Sequence, residues 1–175
     1  MKPFNRVVII SCIVAVVTAL AFAQAANQSK GKLNMNPNPV TVNEKKIIGI
    51  ETRTTNRAEA NSQSGKIGPL WQKFFQVEGG IPNKKNANLI LGTYTKYESD
   101  FNGEYTLIVS SEVTTLDNVP DGMVGTTIPA GRYLVFTAKG EIPQALIETW
   151  MSILDYFSRE SKYQRAYTTD FEITR

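Results

Sequence analysis

The sequence repeats one order of segments twice: a β-rich segment, an amphipathic helix that carries a tryptophan, and further β-rich segments. In the first half, apolar residues recur at helical spacing behind Pro69 and include Trp71. In the second half, residues 146–157 form a single apolar stripe that contains Trp150. This repetition predicts an α+β fold in which a duplication places the two halves side by side in one antiparallel sheet. We expect the helices to cover one face of the sheet. This leaves the other face, or the seam between the halves, as the concavity for a ligand groove.

The predicted strands are rich in β-branched and aromatic residues and are separated by glycine, proline or polar residues. They cover residues 40–55, 89–98, 105–113, 124–128, 133–138 and 166–174. In the last strand, apolar Phe171 and Ile173 alternate with polar residues such as Glu172. If Phe171 and Ile173 pack under a helix, the Glu172 carboxylate projects into the uncovered groove. The alternation is equally compatible with an exposed Glu172 paired to a lysine or arginine.

The N-terminal residues have the pattern of an export signal. Lys2 and Arg6 precede an uncharged apolar run over residues 7–23. The predicted order is a signal peptide over residues 1–25, cleaved after Ala23 or Ala25, a flexible linker over residues 26–39 and one domain over residues 40–175. This predicts a periplasmic or secreted protein. An uncleaved membrane anchor is the alternative, because the apolar run is near the lower length limit for crossing a bilayer.

The composition excludes several kinds of chemistry. The chain has no histidine and a single cysteine, Cys12, which lies in the predicted signal peptide. Histidine zinc sites, serine-histidine triads and cysteine nucleophiles therefore cannot form in the processed chain. A glycine-rich phosphate loop is also missing from the sequence. We expect neither a metal nor a cofactor.

The charge pattern argues against large polyanionic partners. The formal net charge is +3, which includes Lys2 and Arg6, and lysines and arginines do not cluster along a helix face. This pattern does not suit a phosphate backbone, so we expect no nucleic acid partner. After signal cleavage we also expect no membrane association. The partner that remains is a small-molecule ligand.

Short motifs occur in a fixed order over most of the chain. In the second half they are Ile128-Pro129-Ala130-Gly131-Arg132-Tyr133, Phe136, Gly140, Thr149-Trp150 and Asp170-Phe171-Glu172-Ile173. In the first half they are Leu70-Trp71, Phe74, Gly92, Tyr94, Tyr105 and Glu112-Val113. Together they resemble the GyrI-like family, the effector-binding domain of AraC-type regulators. Thr174 departs from the family's usual tyrosine, and the chain has no room for the helix-turn-helix of members that regulate transcription.

The resemblance implies a tandem β-α-β-β duplication that forms one sheet. It also implies a ligand groove between the two units, which is lined by aromatic rings and holds one acidic residue. Carried over to this sequence, the acid is Glu172, and the candidate aromatic residues are Tyr94, Tyr105, Tyr133, Phe136 and Trp150. From their apolar stripes alone, Trp71 and Trp150 are interpreted mainly as core residues.

The function that the resemblance implies is ligand binding. Members bind drug-like, often cationic molecules, and some members are hydrolases. We predict that this chain binds a small, hydrophobic, cationic organic ligand in the groove between its two units. The alternative is a hydrolase of a reactive small molecule in which Glu172 acts as general base.

Overall fold

The computed structural model describes residues 5–11, 37, 39–61, 63–139, 144–158 and 163–174. In these ranges the strands are β1 (Asn5–Ser11), β2 (Pro39–Val42), β3 (Lys45–Thr54), β4 (Ile90–Thr95), β5 (Tyr105–Val113), β6 (Val124–Ile128), β7 (Gly131–Lys139) and β8 (Thr169–Thr174). The helices are α1 (Asn56–Glu59), α2 (Ile67–Val77) and α3 (Gln144–Ser158), and Glu78–Gly80 is one turn of 3₁₀ helix. Both predicted helices and all predicted strand segments are present.

The predicted signal peptide and linker lie mostly outside the described residues. Of the signal peptide, the structure describes only β1, so the boundaries between signal, linker and domain stay predictions. None of the described helices is long and apolar enough to cross a membrane.

The strands form one sheet in the order β2-β7-β1-β8-β4-β5-β3-β6. Every neighbouring pair is antiparallel. The predicted α+β class with one antiparallel sheet is therefore confirmed.

The two ends of this sheet are joined to each other. β2 and β3 are consecutive in the chain, as are β6 and β7, but β2 pairs with β7 while β3 pairs with β6. Val42 pairs with Gly131, and Lys45 pairs with Ile128. Each step covers three residues on both strands, so the two ladders continue each other in one register. The sheet therefore closes on itself through one bent antiparallel ladder. The predicted strand over residues 40–55 follows this bend and is divided into β2 and β3 at Asn43 and Glu44.

The strand order has a twofold pattern about the junction of β4 and β8. Outward from this junction, the first unit continues with β5, β3 and β6, and the second unit continues with β1, β7 and β2. Each strand has a counterpart in the other unit, as the predicted duplication requires. β1, from the N-terminal end of the chain, takes the position in the second unit that β5 holds in the first.

Closure gives the sheet two separate cores. The outer core lies under the helices, where Leu70 and Phe74 of α2 and Trp150 and Ile153 of α3 pack on the sheet. The inner core lies on the face without helices. Its buried residues are Val42, Ile47, Leu91, Ile108, Ile128, Tyr133 and Phe171. Successive residues of each strand alternate between the two cores.

A buried glutamate fixes the start of α2. Lys66, at the N-cap of α2, makes no capping bond with its own side chain. Instead, the carboxylate of Glu59 accepts hydrogen bonds from the backbone N–H groups of Lys66 (2.9 Å) and Ile67 (3.2 Å). Thr54 of β3 donates a further hydrogen bond to this carboxylate. Glu59 therefore ties the start of α2 to the sheet.

The substitution Glu59→Ala is expected to lower the free energy of unfolding by about 1–2 kcal/mol, because two N–H groups at the start of α2 lose their acceptor. Urea unfolding followed by far-UV circular dichroism measures this change. Glu44→Ala removes an exposed glutamate and serves as the control, with an expected change below about 0.5 kcal/mol. Equal losses in the two variants would contradict the capping role.

Candidate functional site

The two helices leave a seam over the centre of the sheet. α2 packs on β3 and β5 of the first unit, and α3 packs on β7 of the second unit. The central strands β4 and β8 therefore run beneath the space between the helices. At this junction Gly92 of β4 is the pairing partner of Glu172 of β8. We call the surroundings of this pair, on the helix side of the sheet, the seam site.

Glu172 is buried in the seam site with only 2% of its surface exposed. A Cβ atom on Gly92 would lie 2.9 Å from Glu172 Oε1 and 3.2 Å from Cζ2 of Trp71 on α2. The carboxylate and the indole ring therefore both occupy the space above Gly92, and a larger residue at this position would have to displace them. Trp71 is half-buried, which places part of its ring at the edge of the seam.

Aromatic rings line the seam site from both units. The Tyr94 ring centroid lies 5.9 Å from that of Tyr105 and 5.7 Å from that of Trp150. Burial raises the pKa of Tyr94, and the neighbouring Glu172 carboxylate raises it further, so this phenol stays protonated at neutral pH. Among the described residues, neither the buried Tyr105 hydroxyl nor the buried Trp150 Nε1 has a hydrogen-bond partner. Both groups are donors that a ligand could satisfy.

A second acid lies two residues before Glu172 on the same face. Asp170 has no exposed surface, and the Tyr97 hydroxyl donates a 2.7 Å hydrogen bond to its Oδ2 atom. Within the part of the chain that the structure describes, the Oδ1 atom of Asp170 has no hydrogen-bond partner. Burial raises the pKa of Asp170 well above its ordinary value, although Tyr97 and Arg165 partly oppose this shift.

The structure brings together most of the residues predicted for the groove. Tyr94, Tyr105 and Trp150 belong to the outer core and are in ring contact, with Glu172 beside Tyr94. Phe136 shares this face of the sheet, and its ring contacts Tyr156 of α3 at 5.9 Å between centroids.

Tyr133 is the predicted groove residue that the structure separates from the others. It belongs to the inner core, where its ring lies 5.4 Å from that of Phe171 and its hydroxyl donates a 2.8 Å hydrogen bond to the Pro129 carbonyl. The reason is strand geometry. Tyr133 and Phe136 are an odd number of positions apart on β7, so their side chains lie on opposite faces of the sheet.

Of the two predicted positions for the groove, the seam between the halves fits Glu172 and the helix-free face does not. The alternation was interpreted correctly, since Glu172 and Phe171 lie on opposite faces, but Phe171 fills the inner core and Glu172 lies under the helices. Closure of the sheet gives Phe171 an apolar environment that requires no helix. The alternative of an exposed Glu172 is also wrong.

A cleft does exist on the helix-free face, but it is separate from the seam site. It has a volume of about 230 Å³, and its walls include Glu51, Thr93, Lys96 and Ile108. None of the six predicted ligand-binding residues is part of its walls. The buried acids therefore make the seam site, rather than this cleft, the candidate functional site.

Three residues of the seam site were not among the predicted ligand-binding residues. Gly92 interrupts a strand, which is a sequence signal for close approach of another group. Asp170 lies two positions before Glu172 on β8, so the two side chains point to the same face of the sheet. Trp71 gave no comparable signal, because its position on an apolar stripe matches an ordinary core residue.

Comparison with known proteins identifies the fold. The antiparallel sheet with helices on one face is the fold of small-molecule effector-binding domains. Residues 40–175 match the family described as integron-associated effector binding protein (Cass2), and the chain belongs to this family. The resemblance to effector-binding domains seen in the sequence is thereby confirmed.

The similarity to known proteins extends over most of the length of the chain. An integron cassette protein from the mobile metagenome of Vibrio cholerae has the same fold, with a TM-score of 0.66 and 30% identity over 79% of this chain and 93% of that protein. The Bacillus subtilis (strain 168) protein YobU is 28% identical over 132 residues, which are 74% of this chain and 80% of YobU. SAV2435, whose structure contains tetraphenylphosphonium, shares the fold with a TM-score of 0.57 and 18% identity over 79% of this chain and 92% of SAV2435.

The raised pKa of Asp170 has a consequence for stability. The folded protein holds a proton on Asp170 at pH values where the unfolded chain has lost it, so the free energy of unfolding falls as pH rises above about 4. Asp170→Asn mimics the protonated acid and removes this dependence. Urea unfolding at several pH values between 4 and 7 measures the free energy of unfolding of both proteins. Relative to the variant, the wild type is expected to lose up to about 1.4 kcal/mol per pH unit as pH rises. Parallel curves for the two proteins would show that Asp170 titrates normally.

Proposed function

We propose that this chain binds a small hydrophobic organic cation in the seam site, with the Glu172 carboxylate as counter-charge. The observation that carries the proposal is the burial of Glu172, 2% exposed, between the Trp71 ring and the Tyr94 ring. A ligand that enters between α2 and α3 would meet this carboxylate at the floor of the seam.

The energetics favour a cation over a neutral or anionic ligand. A carboxylate removed from water loses hydration, and an organic cation placed beside it restores part of that interaction. Each aromatic ring that faces the cation adds about 0.5–2 kcal/mol. Trp71, Tyr94 and Trp150 present such rings around Glu172.

The hydrogen-bond donors of the seam site support selection by shape as well as charge. The Tyr105 hydroxyl and Trp150 Nε1 are buried and have no partner within the described ranges of the chain. A ligand with an acceptor group would satisfy one of them. The neighbour of the same fold that holds tetraphenylphosphonium makes this cation a suitable first probe.

The first test is titration of the protein with tetraphenylphosphonium by isothermal calorimetry. Binding is expected for the wild type, and Glu172→Gln should weaken it about tenfold or more, since a buried counter-charge contributes about 1.5–3 kcal/mol. Glu148→Gln removes an exposed glutamate from α3 and is the matched control. Tetraphenylborate, an anion of the same shape, separates the effect of charge from that of apolar surface.

Two outcomes would reject the charge assignment. One is equal affinity of the wild type and Glu172→Gln for tetraphenylphosphonium. The other is equal affinity of the wild type for tetraphenylphosphonium and tetraphenylborate. Both would leave apolar contact as the basis of binding.

A second test addresses the Trp71 ring at the edge of the seam site. Trp71→Ala is expected to weaken tetraphenylphosphonium binding about 3-fold to 30-fold, the loss that corresponds to one cation–π contact of about 0.5–2 kcal/mol. Because Trp71 is only half-buried, the variant should keep its far-UV circular dichroism spectrum. Phe101→Ala removes a ring that is 46% exposed in the loop between β4 and β5 and should leave the affinity unchanged. If the two variants behave alike, Trp71 does not contact the ligand.

A further inference from the structure

One strand of the second unit, β1, comes from the N-terminal end of the chain, far in sequence from β7 and β8. β7 and β8 do not pair with each other, and each pairs instead with an opposite edge of β1. In the first unit the equivalent position belongs to β5, which follows β4 directly in the chain. Without β1, the facing edges of β7 and β8 would present backbone N–H and C=O groups that need partners.

The surroundings of this position determine which kind of strand fits. On the helix side of the sheet, Leu134 and Phe136 of β7 are buried, and on the inner side Tyr133 and Phe171 are buried. A strand between β7 and β8 therefore lies beside buried apolar residues on both faces of the sheet, and we expect it to be covered on both faces. Strands of this kind are continuous apolar runs rather than alternating ones.

The N-terminal segment meets this requirement in its sequence and its register. β1 contains four consecutive β-branched apolar residues, from Val7 to Ile10. It pairs with β7 along its whole length, from Asn5 with Lys139 to Ser11 with Tyr133, and residues 7–9 also pair with β8. An uninterrupted apolar segment is typical of an export signal. It is also typical of a strand that is buried on both faces, so the same residues fit both structures.

We propose that the space between β7 and β8 is a strand-binding site whose occupant is Asn5–Ser11 of the same chain. The closed sheet is complete only while this segment is bound. Cleavage after Ala23 or Ala25 detaches the segment from the domain and opens the edges of β7 and β8. Export processing and completion of the sheet therefore compete for the same residues.

The test uses the full chain, made by cell-free synthesis so that the N-terminal residues stay attached. Val8→Pro removes a backbone donor from the middle of β1 and is expected to lower Tm by roughly 6–12 °C. Hydrogen exchange should become faster in β7 and β8 and stay unchanged in β5. Val16→Pro, in the same apolar run but outside β1, is the matched control and should leave both readouts unchanged.

A second measurement separates strand binding from a general effect of the apolar segment. A chain of residues 26–175 should have a lower Tm than the full chain, and a peptide of residues 2–11 should raise that Tm when added in excess. The same peptide with Val8→Pro should have no effect. The proposal is overturned if the two proline variants have equal Tm values, if residues 26–175 are as stable as the full chain, or if both peptides act alike.

Discussion

Closure of the sheet is the constraint on which the rest of this structure depends. The bent ladder that joins β2 and β3 to β7 and β6 brings the ends of the sheet together, so one face turns inward. That face has no helix to cover it and is filled by its own apolar side chains, Phe171 and Tyr133 among them. Because strand residues alternate, the polar neighbours of Phe171 must lie on the outer face, under the helices. The position of both buried acids follows from this.

The two acids on β8 have different surroundings. Asp170 receives a hydrogen bond from Tyr97, lies close to Arg165 and has a raised pKa, so protonation relieves much of its burial cost. Glu172 lies beside the Trp71 ring at the junction of the two units, where Gly92 leaves space above the sheet. Under the proposed function, Glu172 is therefore the acid that meets the ligand.

Most of the secondary structure could be predicted from local patterns. The apolar stripe of α3 and the turn residues around β6 and β7 are properties of short segments, and the structure confirms them. The site was only partly predictable. Alternation placed Glu172 opposite Phe171, but it could not tell which of the two faces the helices cover. Tyr133 was grouped with Phe136 by residue type, although their odd spacing on one strand already separated them.

The sequence by itself determined the order of the elements, the relative faces of neighbouring side chains and the absence of histidine chemistry. These are properties of single segments or of composition, and they need no knowledge of distant contacts. Only the tertiary structure decided that the sheet closes, that Trp71 and Glu172 share the space above Gly92, and that β1 completes the second unit. Each of these depends on pairing between residues far apart in the chain, and periodicity of two or 3.6 residues contains no information about such pairing.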